Sequence, residues 1–223
     1  MHKKITVSSE PKIIGVKNGI MQVELDRKNL LNQDGSHNKF YKYFGSFPYW
    51  ANQNNKIDFN ISVINAKPLK KAKMTDLLAY GPYIMAFKWL ISEKFYNILQ
   101  DFNIGEHTLY EVNIENCEEK YFFLKLKTIL RDEFVFNRNV LTVLEKNSFV
   151  DYTFLNKIEY DDFILNNPLS EYKHIALKQE LEKYDIIYTQ GAGDYFSERL
   201  IKTFNENGLT GLSIYNNRSI EFV

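Results

Sequence analysis

The chain has few of the features from which an enzymatic function is usually inferred. Its 223 residues include one cysteine, Cys117, so an internal disulfide is excluded. The motifs HExxH, GxSxG and GxxxxGK[ST] do not occur, and the four histidines are scattered without metal-binding spacing. The carboxylates of Glu118 and Glu119 raise the pKa of a neighbouring thiol, which disfavours a reactive Cys117 thiolate. We therefore expect no enzyme, no metal and no cofactor.

Excess charge and long apolar runs are missing as well. The 28 basic and 28 acidic residues cancel, so no overall field favours nucleic acid or an anionic membrane. The longest apolar run, 80–91, is interrupted by Lys88 and is too short for a membrane span. The start, MHKKITVSSE, has no signal-peptide core. These absences predict a cytoplasmic protein whose partners are recognised locally.

What the chain does contain is a short internal repeat. Residues 91–104 (ISEKFYNILQDFNI) align with 196–209 (FSERLIKTFNENGL). Ser92 and Ser197 suit a helix N-cap, and the glutamate that follows each lies where the helix dipole favours negative charge. The repeat thus predicts two helices of similar design.

The ends of the two predicted helices match too. Asn103 and Gly208, residues that tolerate a left-handed backbone, fall at the C′ position. Strand-like sequence follows at 108–114 and 211–217. Each copy therefore predicts a helix, a tight turn and a strand. Beyond the turn the register is lost, which indicates a repeated supersecondary unit and not two duplicated domains.

This pattern resembles a known family. A Ser-Glu helix, an Asn-Gly-Leu-Thr-Gly-Leu run at 207–212 and an aromatic strand at 121–127 resemble the bacterial immunity proteins of polymorphic toxin systems, in the group first catalogued as a domain of unknown function. The resemblance covers about residues 76–215. It implies an intracellular protein that neutralises a co-encoded toxin by binding it.

The N-terminal part resembles nothing we can identify. KIIGV and IMQVEL flank Asn18-Gly19, which predicts a β-hairpin, and 59–65 predicts a further strand. The basic run 67–73 suggests a boundary. We predict an N-terminal β-rich section, 1–75, and an immunity-like α+β section, 76–223, packed as one continuous unit.

The remaining elements complete an α+β fold of mixed or antiparallel sheets with a few helices. Strands are expected at 140–145 and 185–189, and a short helix near 75–79. Residues 171–184, EYKHIALKQELEKY, predict the longest helix, capped by Ser170.

Aromatic residues make up 15% of the chain. Their simplest explanation is a β-rich core, although Tyr and Trp are also enriched in protein interfaces. Tyr41, Tyr43, Tyr49 and Trp50, beside glycine, proline and polar residues, are the members we expect to be exposed.

One segment favours an enzyme instead. Residues 185–200 predict a strand, a glycine loop and a helix start, an order that can hold phosphate or a nucleotide. Against this, Gly191-Ala192-Gly193 is not GxGxxG, no lysine follows, and Asp194 would repel an anion. A flexible connection is the simpler interpretation.

For the toxin-binding residues we select Tyr160, Asp161 and Asp162, because an aromatic beside paired carboxylates on a loop offers an anchor and charge. The resemblance, together with the absence of catalytic motifs, thus implies a non-enzymatic immunity protein that sterically blocks its toxin. The alternatives are a small-molecule or nucleotide-binding enzyme using the glycine loop at 191–193, and a scaffold or assembly module.

Overall fold

The structure is a computed structural model that describes residues 1–17, 21–45, 49, 50, 53, 64–216 and 218–223. Over these residues it has an α+β fold with five helices and sixteen strands, as predicted. The helices are α1 (Pro11–Ile14), α2 (Lys39–Phe44), α3 (Glu93–Leu99), α4 (Lys157–Asn166) and α5 (Glu198–Glu206). The strands are β1 (His2–Val7), β2 (Val23–Leu25), β3 (Ile64–Pro68), β4 (Leu77–Leu78), β5 (Tyr80–Gly81), β6 (Leu90–Ser92), β7 (His107–Ile114), β8 (Tyr121–Leu126), β9 (Thr128–Ile129), β10 (Val140–Glu145), β11 (Ser148–Tyr152), β12 (Glu171–Leu177), β13 (Ile186–Thr189), β14 (Gly193–Ser197), β15 (Leu212–Tyr215) and β16 (Ser219–Phe222).

The chain divides into two compact units, each assembled from separated stretches. Unit 1 comprises 1–6, 128–201 and 214–223, and unit 2 comprises 7–127 and 202–213. Positions 75 and 76 both lie within unit 2.

Unit 2 is built on a seven-stranded mixed sheet in the order β4-β6-β8-β7-β3-β2-β5. Its longest pairing is the antiparallel one between β7 and β8, from His107↔Leu126 to Val112↔Tyr121. Aromatic rings fill its core, with Phe87 stacked on Phe123 at 4.9 Å between centroids. Such rings pack well on a pleated surface.

The expected exposure of the aromatics near residue 45 is wrong for one of them. Tyr49 is fully buried in the unit 2 core, and Tyr41, Tyr43 and Trp50 are partly buried against it. Asn38 Oδ1 accepts from Tyr41 N at 2.9 Å and so begins α2, which carries the buried Phe44. Tyr49 packs on this ring, with 6.1 Å between the ring centroids.

Two further N-terminal elements differ from the prediction. KIIGV contributes to helix α1, since Pro11 occupies a first-turn position and Gly15 takes the left-handed φ of +81° after it. Asn18-Gly19, the predicted hairpin turn, and most of the strand at 59–65 lie outside the described residues. Residues 77–78 form strand β4 in place of the short helix expected near 75–79.

Unit 1 contains two sheets. The first has the order β15-β1-β14-β13-β9, and the second has the order β11-β10-β12-β16. Leu141, Ile175, Leu177 and Tyr195 are among the fully buried residues of its core. The predicted strands at 140–145 and 185–189 are present as β10 and β13.

The helix predicted at 171–184 is wrong. Residues 171–177 form β12, followed by a short 3-10 turn at Gln179–Leu181. The strand is paired on both sides, antiparallel to β10 and parallel to β16 from His174↔Ser219 to Leu177↔Phe222. Ladder hydrogen bonds on both edges and a buried Ile-Ala-Leu end outweigh the helical propensity of its alanine and lysines.

Candidate functional site

Both serine-led segments begin helices. Ser92 Oγ accepts a hydrogen bond from Phe95 N at 3.1 Å, and Ser197 Oγ accepts one from Leu200 N at 3.3 Å. Each serine therefore satisfies one backbone donor of its first helical turn. The two serines are also the last residues of strands β6 and β14, so each helix follows its strand without a loop.

The similarity extends upstream of the repeat that the sequence shows. Ser92 donates to Asp76 Oδ1 at 3.0 Å, and Ser197 donates to Asp185 Oδ1 at 2.6 Å. The backbone N–H of each serine also bonds its aspartate's carbonyl, at 2.9 and 2.8 Å respectively. Each aspartate immediately precedes a strand that pairs with the serine's strand, through Leu77↔Ile91 and Ile186↔Phe196. The repeated unit is therefore a strand, a connection, a strand and a helix.

The ends of the two helices differ from each other. Gly208 has φ +62°, and Leu209 N bonds Phe204 O at 3.0 Å, which closes α5. Asn103 was expected to take the equivalent left-handed position, and this is wrong. Gly105, two residues later, has the positive φ of +75° instead. The turn after α3 is longer, so the glycine carries the backbone reversal.

The predicted toxin-binding residues differ from the prediction in their secondary structure and exposure. Tyr160, Asp161 and Asp162 lie in helix α4, not on a loop. Tyr160 is 1% exposed and its hydroxyl bonds that of Tyr172, so the expectation of an accessible anchor there is wrong. Burial raises the pKa of Tyr160.

The two aspartates of α4 have different surroundings. Lys157 Nζ contacts Asp161 Oδ2 at 2.7 Å and Asp132 Oδ1 at 3.0 Å, and these carboxylates raise the pKa of Lys157. Asp162 is exposed, and its carboxylate has no ion pair or hydrogen bond within the part of the chain that the structure describes. Asp162 is thus the member of the predicted trio that remains available to a partner.

The segment that contains these aspartates has many exposed large apolar side chains. Of the eleven exposed large hydrophobic residues that the structure describes, six lie between positions 144 and 169. They are Leu144, Phe149, Leu155, Ile158, Leu165 and Leu169, with exposures from 62% to 91%. We call these six residues the 144–169 surface. Clusters of exposed apolar side chains are typical of interaction sites, whereas scattered single ones are not.

The local structure explains why these side chains face outward. Leu144 and Phe149 are direct partners across the β10–β11 hairpin, so they share one face of it. In α4, Ile158 and Leu165 are seven residues apart and Asp162 lies between them, which places all three on one helical stripe. The opposite side of α4 carries Tyr160 into the core.

The distribution of apolar residues in the sequence of α4 indicates that some of them are exposed. Helix α4 contains apolar residues at 158, 160, 163, 164 and 165, which is more than one buried stripe can accommodate. The segment 144–169 also carries five acidic and two basic residues. It is therefore apolar and acidic together.

The surroundings of Cys117 disfavour its thiolate. Burial and the neighbouring Glu119 and Glu118 raise the pKa of Cys117. Within the described residues no group of three His, Cys, Asp or Glu side chains is placed to hold a metal ion. None of the helices that the structure describes has the length and apolar character needed to cross a membrane.

Unit 2 contains a cavity of about 590 Å³ beside strands β2, β3 and β7. Its polar groups bond one another. Lys67 Nζ lies 3.4 Å from Glu24 Oε2, and Asn113 Nδ2 donates to Asn65 Oδ1 at 3.1 Å. The lining has both signs of charge, so it favours no particular class of ligand.

Comparison with known proteins adds no assignment. No protein-family model matches the chain, and no curated protein matches it significantly.

Proposed function

We propose that this protein is an immunity protein that binds a cognate bacterial toxin, and that the 144–169 surface is where the toxin docks. The observation that supports the proposal is the presence of six exposed large apolar side chains between positions 144 and 169, two on the β10–β11 hairpin, two on α4 and two in the connections next to α4. Burying a Leu, Ile or Phe side chain stabilises a complex by about 1.5–3 kcal/mol, so a few such residues can supply much of a binding energy.

The charge of the segment defines the partner's chemistry. Five acidic against two basic residues, and the unpaired Asp162 in the middle of the α4 stripe, favour a toxin face that is apolar with basic residues around it. Such complementarity also speeds association, and added salt weakens that effect.

The identification of the partner as a toxin depends on the family resemblance of about residues 76–215. In this proposal the protein has no enzymatic activity, works in the cytoplasm and blocks its toxin sterically, as a bound chain covers what lies beneath it. The resemblance and the exposed surface support the same mode of action, because an inhibitor that works by binding needs a face to bind with.

Co-expression tests the function and the surface together. The proposal requires a toxin domain encoded beside this gene. That domain is expressed in a bacterial host, with the wild-type protein or with Ile158→Glu, Leu165→Glu or the double variant. Wild type is expected to rescue growth. Each single variant is expected to bind the purified toxin about tenfold to a hundredfold more weakly, because a carboxylate would be desolvated in an apolar contact.

Asn205→Glu is the matched control. Asn205 is exposed in α5, so this variant also introduces a glutamate on a helix surface but outside the 144–169 surface. It should bind as wild type does. Failure of the wild type to bind or rescue would refute the immunity function, whereas normal binding by the Ile158 and Leu165 variants would refute only the docking surface.

An assembly module is the competing explanation for the same apolar residues. It predicts that the purified protein forms homo-oligomers and that Leu165→Glu dissociates them. Sedimentation of the wild type and of Leu165→Glu distinguishes this explanation from a monomer that binds a different protein.

A further inference from the structure

Arg131 differs from the other arginines of unit 1. Arg138 contacts Glu221 at 3.0 Å, Arg218 contacts Glu171, and Arg199 forms a two-point contact with Asp185. No carboxylate pairs with Arg131 in the described part of the chain, and its Nε is buried without a hydrogen-bond partner. A buried, unsatisfied donor on a permanent cation costs free energy unless a ligand completes it.

The position of Arg131 is fixed by the glycine loop. Arg131 N donates to the Gln190 side chain at 3.1 Å, and a Cβ on Gly191 would lie 2.9 Å from Arg131 Nη2. Gly191 has φ +81°, a backbone conformation that favours glycine. The absence of a side chain there also lets the Arg131 guanidinium lie close to the backbone. The loop is the tight connection between β13 and β14, whose pairing ends at Thr189↔Gly193.

A second cation lies against the same loop. A Cβ on Gly193 would lie 2.5 Å from Cε and 3.2 Å from Nζ of Lys4. In the sequence, two features argue against phosphate binding by this loop: no lysine follows the glycines, and Asp194 repels anions. The fold supplies Lys4 and Arg131 from distant positions instead.

The positive charge of Arg131 also affects two buried tyrosines of unit 1. The buried hydroxyls of Tyr160 and Tyr172 bond each other, and burial raises the pKa of both phenols while the positive charge of Arg131 opposes that rise. The nearby Asp161 is already held by Lys157 at 2.7 Å. Asp161 is therefore engaged with Lys157 and does not pair with the guanidinium.

We propose that Arg131 and the loop 190–193 form a binding site for a phosphate group. The guanidinium offers paired N–H donors that match phosphate oxygens. The absence of a side chain at Gly191 lets this guanidinium lie close to the loop backbone. This proposal is independent of the toxin-binding function, because none of its residues belongs to the 144–169 surface.

The test is an NMR titration that follows the Arg131 Nε–Hε and Gly191 amide signals. Inorganic phosphate and adenosine monophosphate are the two probes, and sodium chloride at equal ionic strength is the screening control. Both signals are expected to shift saturably with phosphate. Tighter binding of adenosine monophosphate would identify a nucleotide as the source of the phosphate group, and equal binding would identify the free anion.

Arg131→Gln should weaken binding at least tenfold. The control is Arg138→Gln, which changes an exposed arginine of the same unit and should bind as wild type does. Should Arg131→Gln fail to fold, Arg131→Lys decides, because it keeps the charge but loses the paired donors and is expected to lose most of the affinity. A shift that chloride reproduces, that never saturates, or that survives in the folded Arg131 variant would overturn the site.

Discussion

Replacing Ser197 by alanine should destabilise unit 1 more than removal of an ordinary helix cap does. Ser197 is 8% exposed, and its hydroxyl has two roles. It accepts from Leu200 N at 3.3 Å and donates to Asp185 Oδ1 at 2.6 Å. Asp185 is itself 2% exposed, so water cannot readily replace the lost donor.

The expected cost follows from these two bonds. Loss of an N-cap costs about 1 kcal/mol. Removing a donor from a buried carboxylate costs about 1–3 kcal/mol more, with the lower end favoured here because Arg199 Nε still donates to Asp185 at 2.7 Å. Ser197→Ala should therefore lower the free energy of unfolding by about 2–4 kcal/mol.

Asn156→Ala is the matched comparison in the same unit. Asn156 Oδ1 accepts from Glu159 N at 3.0 Å to begin α4, but its surroundings are exposed and no buried carboxylate depends on it. Its loss should cost about 1 kcal/mol. Urea unfolding followed by circular dichroism measures both variants. Equal losses would refute the argument that the serine–aspartate pair adds stability beyond capping.

Three further predictions concern other positions. Burial lowers the pKa of His2 below 6.5, so the unfolded chain binds a proton at this histidine more readily than the folded one does. The urea concentration at the unfolding midpoint of the wild type should therefore decrease as the pH is lowered from about 7 to about 5, and His2→Gln should reduce that decrease. Gly208→Ala should lower the free energy of unfolding by about 1 kcal/mol, because φ is +62° and no atom lies within 4 Å of the new Cβ. Gly211→Ala should lower it more, because its Cβ would lie 2.2 Å from Leu77 O. Equal melting temperatures of the two variants would contradict this. Burial, with neighbouring glutamates, raises the pKa of Cys117, so thiol labelling at pH 7.5 should be slower than for free cysteine and should accelerate with pH, and labelling as fast as the free amino acid would contradict this.

Local signals in the sequence were sufficient for the helix starts. Ser92 and Ser197 act within three residues of themselves, so their spacing alone identifies the caps. The upstream aspartates were hidden because their separations differ. Asp76 lies 16 residues before its serine and Asp185 lies 12 before its own, so the match disappears from a simple alignment.

Long-range pairing explains the largest error. Residues 171–177 have helix-like spacing of apolar residues, but β12 finds its parallel partner more than forty positions later, in β16. No local pattern contains that partner. The same holds for Tyr160, whose burial depends on a hydroxyl contact with Tyr172 in a different element.

The candidate anion site shows a similar limit. The glycines of the loop were visible in the sequence, but the cations that accompany them come from positions 4 and 131. Motif searches require neighbouring residues, whereas a fold brings together side chains at any separation.

The order in which strands pair in unit 1 has a consequence for synthesis on the ribosome. Strand β1 is synthesised about 190 residues before its partner β14, with which it pairs from His2↔Ser197 to Ile5↔Asp194. The nascent β1 must therefore remain without this partner while those residues are made, and it is a candidate for chaperone binding during that time. A ribosome stalled before residue 193 would leave β1 without β14, so arrest-peptide force measurements should detect the folding of this sheet only after β14 has left the exit tunnel.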